Sequence, residues 1–219
     1  MLRELRHCDG RADTGIIRAL SLRVDSIDRP PPGGYLVGMP LTQITWQDVQ
    51  QLPDDGNRYE AIGGELHVTA APSIRHQRVS KRLERALYRL LEDPGHGEVL
   101  HAAVGVEFPA TSEGVQPDIV FVSTPRSDIV ADNWIHGPPD LVIEILSPST
   151  ASRDLKLKLR LYERQGVPEY WIVDPDEDAV AVWRFGADPE YERFTERLPV
   201  RVGDETVGDI DLSEVFRRD

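Results

Sequence analysis

Two carboxylates lie in surroundings where an isolated negative charge is unfavourable. Asp118 comes directly before the apolar run 119 to 122, and Glu144 lies within the apolar run 141 to 146. An ionised carboxylate inside such a strand costs on the order of several kcal/mol unless it is paired or binds a cation. Asp118 could instead cap its strand, and Glu144 could belong to a plain buried ion pair. The two positions are therefore the first candidates for a cation-binding or catalytic site.

Patterns for several other kinds of chemistry are absent. The sequence contains no G-x-x-x-x-G-K-[ST] loop, no G-x-G-x-x-G, no paired C-x-x-C, no H-E-x-x-H and no G-x-S-x-G. Nucleotide, zinc and serine hydrolase chemistry therefore have no support. Cys8 is the only cysteine, which excludes an internal disulfide and is typical of a reducing compartment. Because Cys8 lies in an aperiodic N-terminal stretch, we do not expect it to act as a nucleophile.

The residues around the two carboxylates predict a layered α/β domain in which strands alternate with helices. The apolar run 141 to 146 indicates a central strand of a sheet, and Gly63-Gly64 indicates a two-residue hairpin turn. We predict strands at residues 58–62, 65–69, 99–108, 119–122, 141–146, 169–173 and 180–185. We predict helices from Thr45 to Leu52, from Ser73 until Pro94-Gly95, from about Thr150 to Gln165, and over residues 212–216.

The N-terminal residues 1 to 38 show no sustained periodicity and end in prolines and glycines at 30 to 34, which disfavour helix and sheet. We interpret them as a disordered tail before one domain at 39 to 219, and Met39 could be the true translation start. No stretch approaches the roughly 18 apolar residues of a membrane span, and the N-terminus lacks a secretory signal. We expect a cytoplasmic protein with no membrane partner.

The formal net charge of −13 argues against a protein that holds nucleic acid through its overall field. Positive charge is concentrated in two predicted helical segments. Residues 73 to 92 carry six basic side chains and two acidic ones, and residues 150 to 166 carry five and two. These segments are solvated helix faces or a local surface for an anionic partner.

Several short motifs occur in order along the chain. They are Tyr59-Glu60-Ala61-Ile62-Gly63-Gly64-Glu65-Leu66, His76-Gln77, Gln116-Pro117-Asp118, Glu144-Ile145-Leu146-Ser147-Pro148-Ser149-Thr150, the spacing Asp154, Lys158, Tyr162, and Gly166-Val167-Pro168-Glu169-Tyr170-Trp171-Ile172-Val173-Asp174-Pro175. Together they resemble the Uma-two (Uma2) family of restriction-endonuclease-like proteins, over about residues 41 to 216. The resemblance implies the fold of the PD-(D/E)xK nuclease superfamily, in which a mixed sheet with flanking helices brings acids together at one edge to hold magnesium.

The sequence departs from the generic nuclease motif at its lysine. That lysine follows the second acid by two residues, where this chain has Leu146. The resemblance places the substitute at Lys158 on the following helix, in line with Tyr162 at a spacing of four residues. The alternatives are an ordinary surface pair between Asp154 and Lys158, or a role for Lys156, which points to a different face.

The resemblance also implies the members of the site. Asp118 and Glu144, with Glu60, would bind Mg²⁺ or Mn²⁺ through hard oxygen ligands. Lys158 would stabilise charge on the phosphate or help to deprotonate the attacking water. His76, in the first turn of its helix, would orient a carboxylate or contact phosphate. The other carboxylate of the hairpin, Glu65, has a claim similar to that of Glu60.

The expected function is metal-dependent endonuclease hydrolysis of nucleic acid, with DNA as the expected partner. A symmetric homodimer is one expected assembly, because nucleases that cut both strands often act as dimers. An alternative is a catalytically inactive nucleic-acid-binding or interaction module on the same fold, which Leu146 and the acidic C-terminal part favour. A metal-free glycosidase with paired carboxylates is a weaker alternative, because it needs a cleft with exposed aromatic residues. Trp134, Trp171 and Trp183 are too few and too strand-like for one.

Overall fold

A computed structural model describes residues 43–69, 71–147, 153–186 and 189–218, except for the side chains of 153–155. The predicted tail at 1 to 38 and the proposed start at Met39 lie outside these residues. Within the described part of the chain, no helix is long and apolar enough to cross a membrane.

Five strands form the first sheet, in the order β2-β1-β5-β4-β7. They are β1 (Arg58–Ile62), β2 (Glu65–Thr69), β4 (Gly105–Phe108), β5 (Glu113–Val115) and β7 (Trp134–His136). The first two form the predicted hairpin in full register. Its turn residues Gly63 and Gly64 have φ of 62° and 79°, a region that favours glycine. Only β4 and β7 run parallel in this sheet.

Six strands form the second sheet, in the order β11-β10-β9-β8-β6-β3. They are β3 (Gly97–His101), β6 (Ile119–Ser123), β8 (Leu141–Ile145), β9 (Glu169–Asp174), β10 (Ala179–Arg184) and β11 (Glu190–Phe194). Strands β8 and β9 pair in parallel, and the other pairs are antiparallel, so the sheet is mixed. A further hairpin consists of β12 (Arg197–Val202) and β13 (Glu205–Asp211).

The described helices are α1 (Trp46–Val49), α2 (Ile74–Leu87), α3 (Arg153–Gln165) and α4 (Leu212–Phe216), with a π-helical turn at Tyr88–Glu92 and a 3₁₀ helix at Thr124–Ile129. The Ser73 hydroxyl caps α2 by accepting the backbone N–H of His76 at 3.2 Å. Thr45 caps α1 as predicted, in a capping box with Asp48. Helix α1 nevertheless ends at Val49, before the predicted Leu52.

The two faces of β8 have different roles because successive side chains point to opposite sides of a strand. Ile143 and Ile145 join Val79 and Leu83 of α2 in the main hydrophobic core. Full burial of an aliphatic side chain of this size contributes roughly 1.5–3 kcal/mol. Glu144 points to the opposite face. The central strand thus supplies the core on one side and a candidate site residue on the other.

The prediction of one strand over residues 99 to 108 is wrong. The segment forms two strands in different sheets: β3 pairs with β6, whereas β4 pairs with β5 and β7. The hydrophobic pattern does not reveal a change of sheet, because both halves are apolar. Close packing decides it, since a Cβ on Gly105 would lie 2.3 Å from the Trp134 ring.

Candidate active site

Lys158 lies at the centre of the cluster of predicted site residues. Its Nζ donates to Oε1 of Glu60 and to Oε1 of Glu144, each at 2.9 Å. Glu60 lies on β1 and Glu144 on β8, so the one ammonium group joins the two sheets. Burial lowers the pKa of Lys158, but the two carboxylates outweigh burial and raise it above its usual value. The side chain is therefore a buried ammonium.

Glu144, on β8, is a buried acid that accepts two hydrogen bonds on one oxygen. Its Oε1 accepts a second hydrogen bond, from the Tyr162 hydroxyl at 2.7 Å. Burial raises the pKa of Glu144, as do the negative charges of Asp118 and Glu60, although Lys158 opposes the rise. A nearby positive charge would therefore stabilise the ionised form of Glu144.

Asp118, at the start of β6, is held by three donors. Its Oδ1 accepts from Arg58 NH1 at 2.8 Å, and its Oδ2 accepts the backbone N–H of Ile145 at 2.8 Å. The same Oδ2 lies 3.0 Å from Nε2 of His76. Burial alone would raise the pKa of Asp118, but the bonds and charges of His76 and Arg58 outweigh it and lower the pKa to about 2. Asp118 is therefore an ionised carboxylate.

Arg58 is a member of the charged cluster that the sequence analysis missed. It pairs with Asp118 and also donates to the backbone carbonyl of Gln116 at 3.1 Å. The available signal is its position two residues before Glu60, because alternate residues of a strand share a face. Strand alternation within β1 would have placed both side chains on the same side.

The structure distinguishes between the two candidate glutamates of the first hairpin. Glu60 is buried, and its Oε1 accepts the backbone N–H of Gln116 at 2.9 Å in addition to the Lys158 bond. Glu65 is exposed at the turn. Glu60 is therefore the glutamate that belongs to the cluster.

The structure also distinguishes between the two candidate lysines of α3. Residues two apart on a helix are about 200° apart around its axis, and Lys156 is exposed whereas Lys158 contacts both acids. The side chain of Asp154, the alternative partner of Lys158, lies outside the described residues. Leu146 is half-buried at the position of the generic lysine.

The donor set fits a divalent cation that competes with the lysine. The Oε2 atoms of Glu60 and Glu144 accept no hydrogen bond from any described residue, and carboxylate oxygens are the ligands that Mg²⁺ and Mn²⁺ prefer. Among the residues described, no three His, Cys, Asp or Glu side chains are already grouped as a metal site. A bound cation would therefore share or replace Lys158 as the partner of Glu60 and Glu144.

The predicted basic segments are partly used inside the fold. Arg75 pairs with Asp178, Arg82 donates to the carbonyl of Val215, and Arg164 binds both oxygens of Glu113. Exposed basic side chains in these segments include Lys81, Arg85 and Arg89 on α2 and its π-helical extension, and Lys156 and Arg160 on α3. These five remain candidates for contact with an anionic partner.

Comparisons with known proteins agree with this architecture. The uncharacterised protein slr1290 of Synechocystis sp. is 28% identical over 123 residues, which cover 56% of this chain and 60% of that protein. The 1.96 Å crystal structure of a putative nuclease belonging to DUF820 from Anabaena variabilis superposes with a TM-score of 0.64 at 21% identity, over 79% of this chain and 97% of the other. The restriction-endonuclease-like mixed α/β fold expected from the sequence is confirmed.

A model of the Uma2 family, described as putative restriction endonuclease, matches residues 46–207. This range contains every residue of the acid and lysine cluster, and it is well over half of the chain. The family description is that of a nuclease-like protein. The chain belongs to the Uma2 family.

Proposed function

We propose that this protein is a divalent-metal-dependent endonuclease that hydrolyses phosphodiester bonds in DNA. The observation that carries the proposal is the convergence of three buried carboxylates on one buried lysine. Glu60, Glu144 and Asp118 come from three different strands, and Lys158 bonds to two of them. A purely structural ion pair would need only one carboxylate as the partner of Lys158.

The charge balance of the cluster favours a cation. Three carboxylates face two permanent positive charges among the described side chains that contact them, those of Lys158 and Arg58. Without a proton on His76, which also contacts Asp118, the formal excess is one negative charge, and it is unfavourable in a low-dielectric region. A divalent cation held by Glu60 and Glu144 would reverse it.

The residues then have separate roles. A bound cation would polarise the scissile phosphate and lower the pKa of the attacking water. The Lys158 ammonium would stabilise negative charge that develops on the phosphate in the transition state. Arg58 and the backbone N–H of Ile145 hold Asp118 in place. His76 uses Nε2 for Asp118 and keeps a buried Nδ1 with no partner among the described residues, so this nitrogen is available to substrate or water.

The exposed basic residues would bind the DNA backbone. Lys81, Arg85 and Arg89 follow one another at four-residue spacing along a helix whose first turn carries His76. Lys156 and Arg160 each lie two residues from Lys158 on α3 and are exposed on a different face of the helix. Local clusters of this kind can hold phosphates in a chain whose net charge is −13.

The proposal is tested by incubating the full chain with supercoiled plasmid, single-stranded DNA and RNA in Mg²⁺, in Mn²⁺ and in chelator. We expect plasmid cleavage that needs the cation and that Glu144→Gln abolishes. Glu98→Gln, an exposed strand carboxylate away from the cluster, is the matched control and should cleave normally. Cleavage in chelator, or equal cleavage by Glu144→Gln, would contradict the proposal.

A second candidate is a nucleic-acid-binding module that has lost catalysis. Leu146 at the generic lysine position favours it, and so does the pairing of Lys158 with both glutamates. Binding of plasmid DNA without cleavage in either cation, together with a normal fold, would favour this second candidate.

A further inference from the structure

Tyr170 is a fully buried residue whose hydroxyl has no partner in the described part of the chain. Its relative exposure is 0%, and the hydroxyl accepts and donates no hydrogen bond among the described residues. A buried hydroxyl without a partner is unfavourable, because folding removes its hydrogen bonds to water. Such a group calls for an acceptor that the described residues do not supply.

The position of Tyr170 places it at the acid cluster. Its register partner on β8 is Val142, two residues before Glu144, so Tyr170 lies on the same face of the sheet as Glu144. Its ring lies 4.8 Å from the ring of Tyr162, and the Tyr162 hydroxyl donates to Glu144. The Tyr162 hydroxyl therefore has an acceptor, whereas the Tyr170 hydroxyl has none among the residues that the structure describes.

The electrostatic surroundings keep Tyr170 a hydrogen-bond donor. Burial raises the pKa of Tyr170 well above its usual value, and the charges of Glu144, Asp118 and Glu60 raise it further. The phenol is therefore protonated at neutral pH. All three acids act on it, which agrees with a location beneath the cluster.

We propose that Tyr170 is a positioning residue of this site, and that its hydroxyl donates to a water molecule that enters with the divalent cation. This inference rests on the proposed metal-dependent function. We assign a water as the acceptor because Tyr170 and Tyr162 are both fully buried, whereas Lys158 and Glu144 retain 13% and 10% side-chain exposure. A phosphodiester group approaching from solvent would meet Lys158 first.

The test compares two substitutions that each remove one hydroxyl. Tyr170→Phe deletes the unpartnered group, and the matched control Tyr162→Phe deletes the hydroxyl that donates to Glu144. Melting temperature without metal and the Kd for Mn²⁺ by titration calorimetry are measured on the full chain. Glu144→Gln identifies the part of Mn²⁺ binding that belongs to the site.

We expect Tyr170→Phe to melt at the wild-type temperature or above it without metal, because no hydrogen bond is lost. Its Kd for Mn²⁺ should rise by about threefold to tenfold, the loss of one hydrogen bond. Tyr162→Phe should melt at a lower temperature without metal.

A wild-type Kd in Tyr170→Phe would overturn the inference. A lower melting temperature of this variant without metal would also overturn it, by showing that the hydroxyl already has a partner in the metal-free protein. Both results leave the proposed function standing. If the wild type shows no Mn²⁺ binding that Glu144→Gln removes, the metal-dependent function itself fails, and the role of Tyr170 fails with it.

Discussion

The buried charges of the site depend on one another. Glu60 and Glu144 each use one oxygen to bind the Lys158 ammonium, and neither has another cationic partner among the described residues. Removing one member of a buried ion pair lowers the stability more than replacing the whole pair with apolar residues, because the remaining charge stays unpaired in a low-dielectric region. Lys158 therefore stabilises the metal-free protein, and under the proposed function it would compete with a cation for the same acids.

Lys158→Met should separate these two effects. Without metal, we expect the free energy of unfolding to fall by about 3 kcal/mol, because two buried carboxylates lose their counter-ion. Mn²⁺ should then raise the melting temperature more than it does in the wild type, because the cation no longer competes with the ammonium. Cleavage should fall on the order of a hundredfold in kcat. Thermal melts with and without Mn²⁺ and steady-state cleavage check these outcomes.

Lys156→Met is the matched control for Lys158→Met, since Lys156 is exposed on the same helix. Its stability and metal response should be those of the wild type, and its effect should be weaker DNA binding. If Lys156→Met stops turnover while Lys158→Met cleaves normally, the assignment of the two lysines is wrong.

Glu113 connects the elements that carry the site. From β5, its Oε1 accepts the backbone N–H of Gly63 in the hairpin turn at 2.7 Å. It also accepts from Arg164 at 2.7 Å and from Gln165 at 2.7 Å, both at the end of α3. One carboxylate thus ties the hairpin with Glu60 to the helix with Lys158. The placement of the lysine depends on this link as well as on its own ion pairs.

The Glu113 link should depend on pH. Burial raises the pKa of Glu113, but the bonds from Arg164 and Gly63 outweigh burial and lower the pKa below its usual value. A carboxylate with a lowered folded-state pKa contributes stability above the pKa of the unfolded chain and loses it as the pH falls through the folded value. At pH 7, Glu113→Gln should reduce the free energy of unfolding by about 1–2 kcal/mol, a figure reduced for the exposure of Arg164.

Denaturant unfolding between pH 7 and pH 3 measures this effect. The difference between wild type and Glu113→Gln should shrink as the pH falls through the lowered folded-state pKa of Glu113, because the wild-type carboxylate then also becomes neutral. The exposed Glu98→Gln should stay within about 0.5 kcal/mol of the wild type. A constant difference across the pH range would show that the glutamate charge does not stabilise the link.

At the scale of the whole molecule, charge is segregated. The chain carries −13 overall, and the residues from Asp174 to the C-terminus contain six basic and fourteen acidic side chains. Five exposed basic residues lie instead on α2, its π-helical extension and α3. DNA would therefore be attracted by two helices and repelled by the acidic remainder of the surface, which makes binding sensitive to salt.

The double substitution Lys81→Gln and Arg85→Gln should weaken DNA binding for all sequences alike. Each lost phosphate contact should reduce the slope of log K against log salt concentration by about 0.9. Fluorescence anisotropy with labelled duplex DNA, in chelator and at several salt concentrations, measures the slope. Arg75→Gln is the comparison, because its guanidinium pairs with Asp178 inside the fold and should leave the slope unchanged. An unchanged slope in the double variant would place the DNA elsewhere.

The sequence alone was sufficient for features that depend on near neighbours. The Ser73 cap, the Gly63-Gly64 turn and the apolar strand around Glu144 are local patterns, and the structure has each of them. The buried positions of Asp118 and Glu144 also follow from local pattern, because a carboxylate within an apolar strand needs a partner.

Only the tertiary structure decided which charged side chains meet. Glu60 and Lys158 are 98 residues apart in the sequence, and Arg58 and Asp118 are 60 apart. Strand and helix periodicity indicates on which face of its element a side chain lies, but it does not identify the element that packs against that face. The split of the segment at 97–108 between two sheets has the same origin, since packing of Gly105 against Trp134 depends on residues distant in sequence. Contacts between such distant residues arise only when the sheets and helices pack, and they selected Glu60 over Glu65, Lys158 over Lys156, and Arg58 as the partner of Asp118.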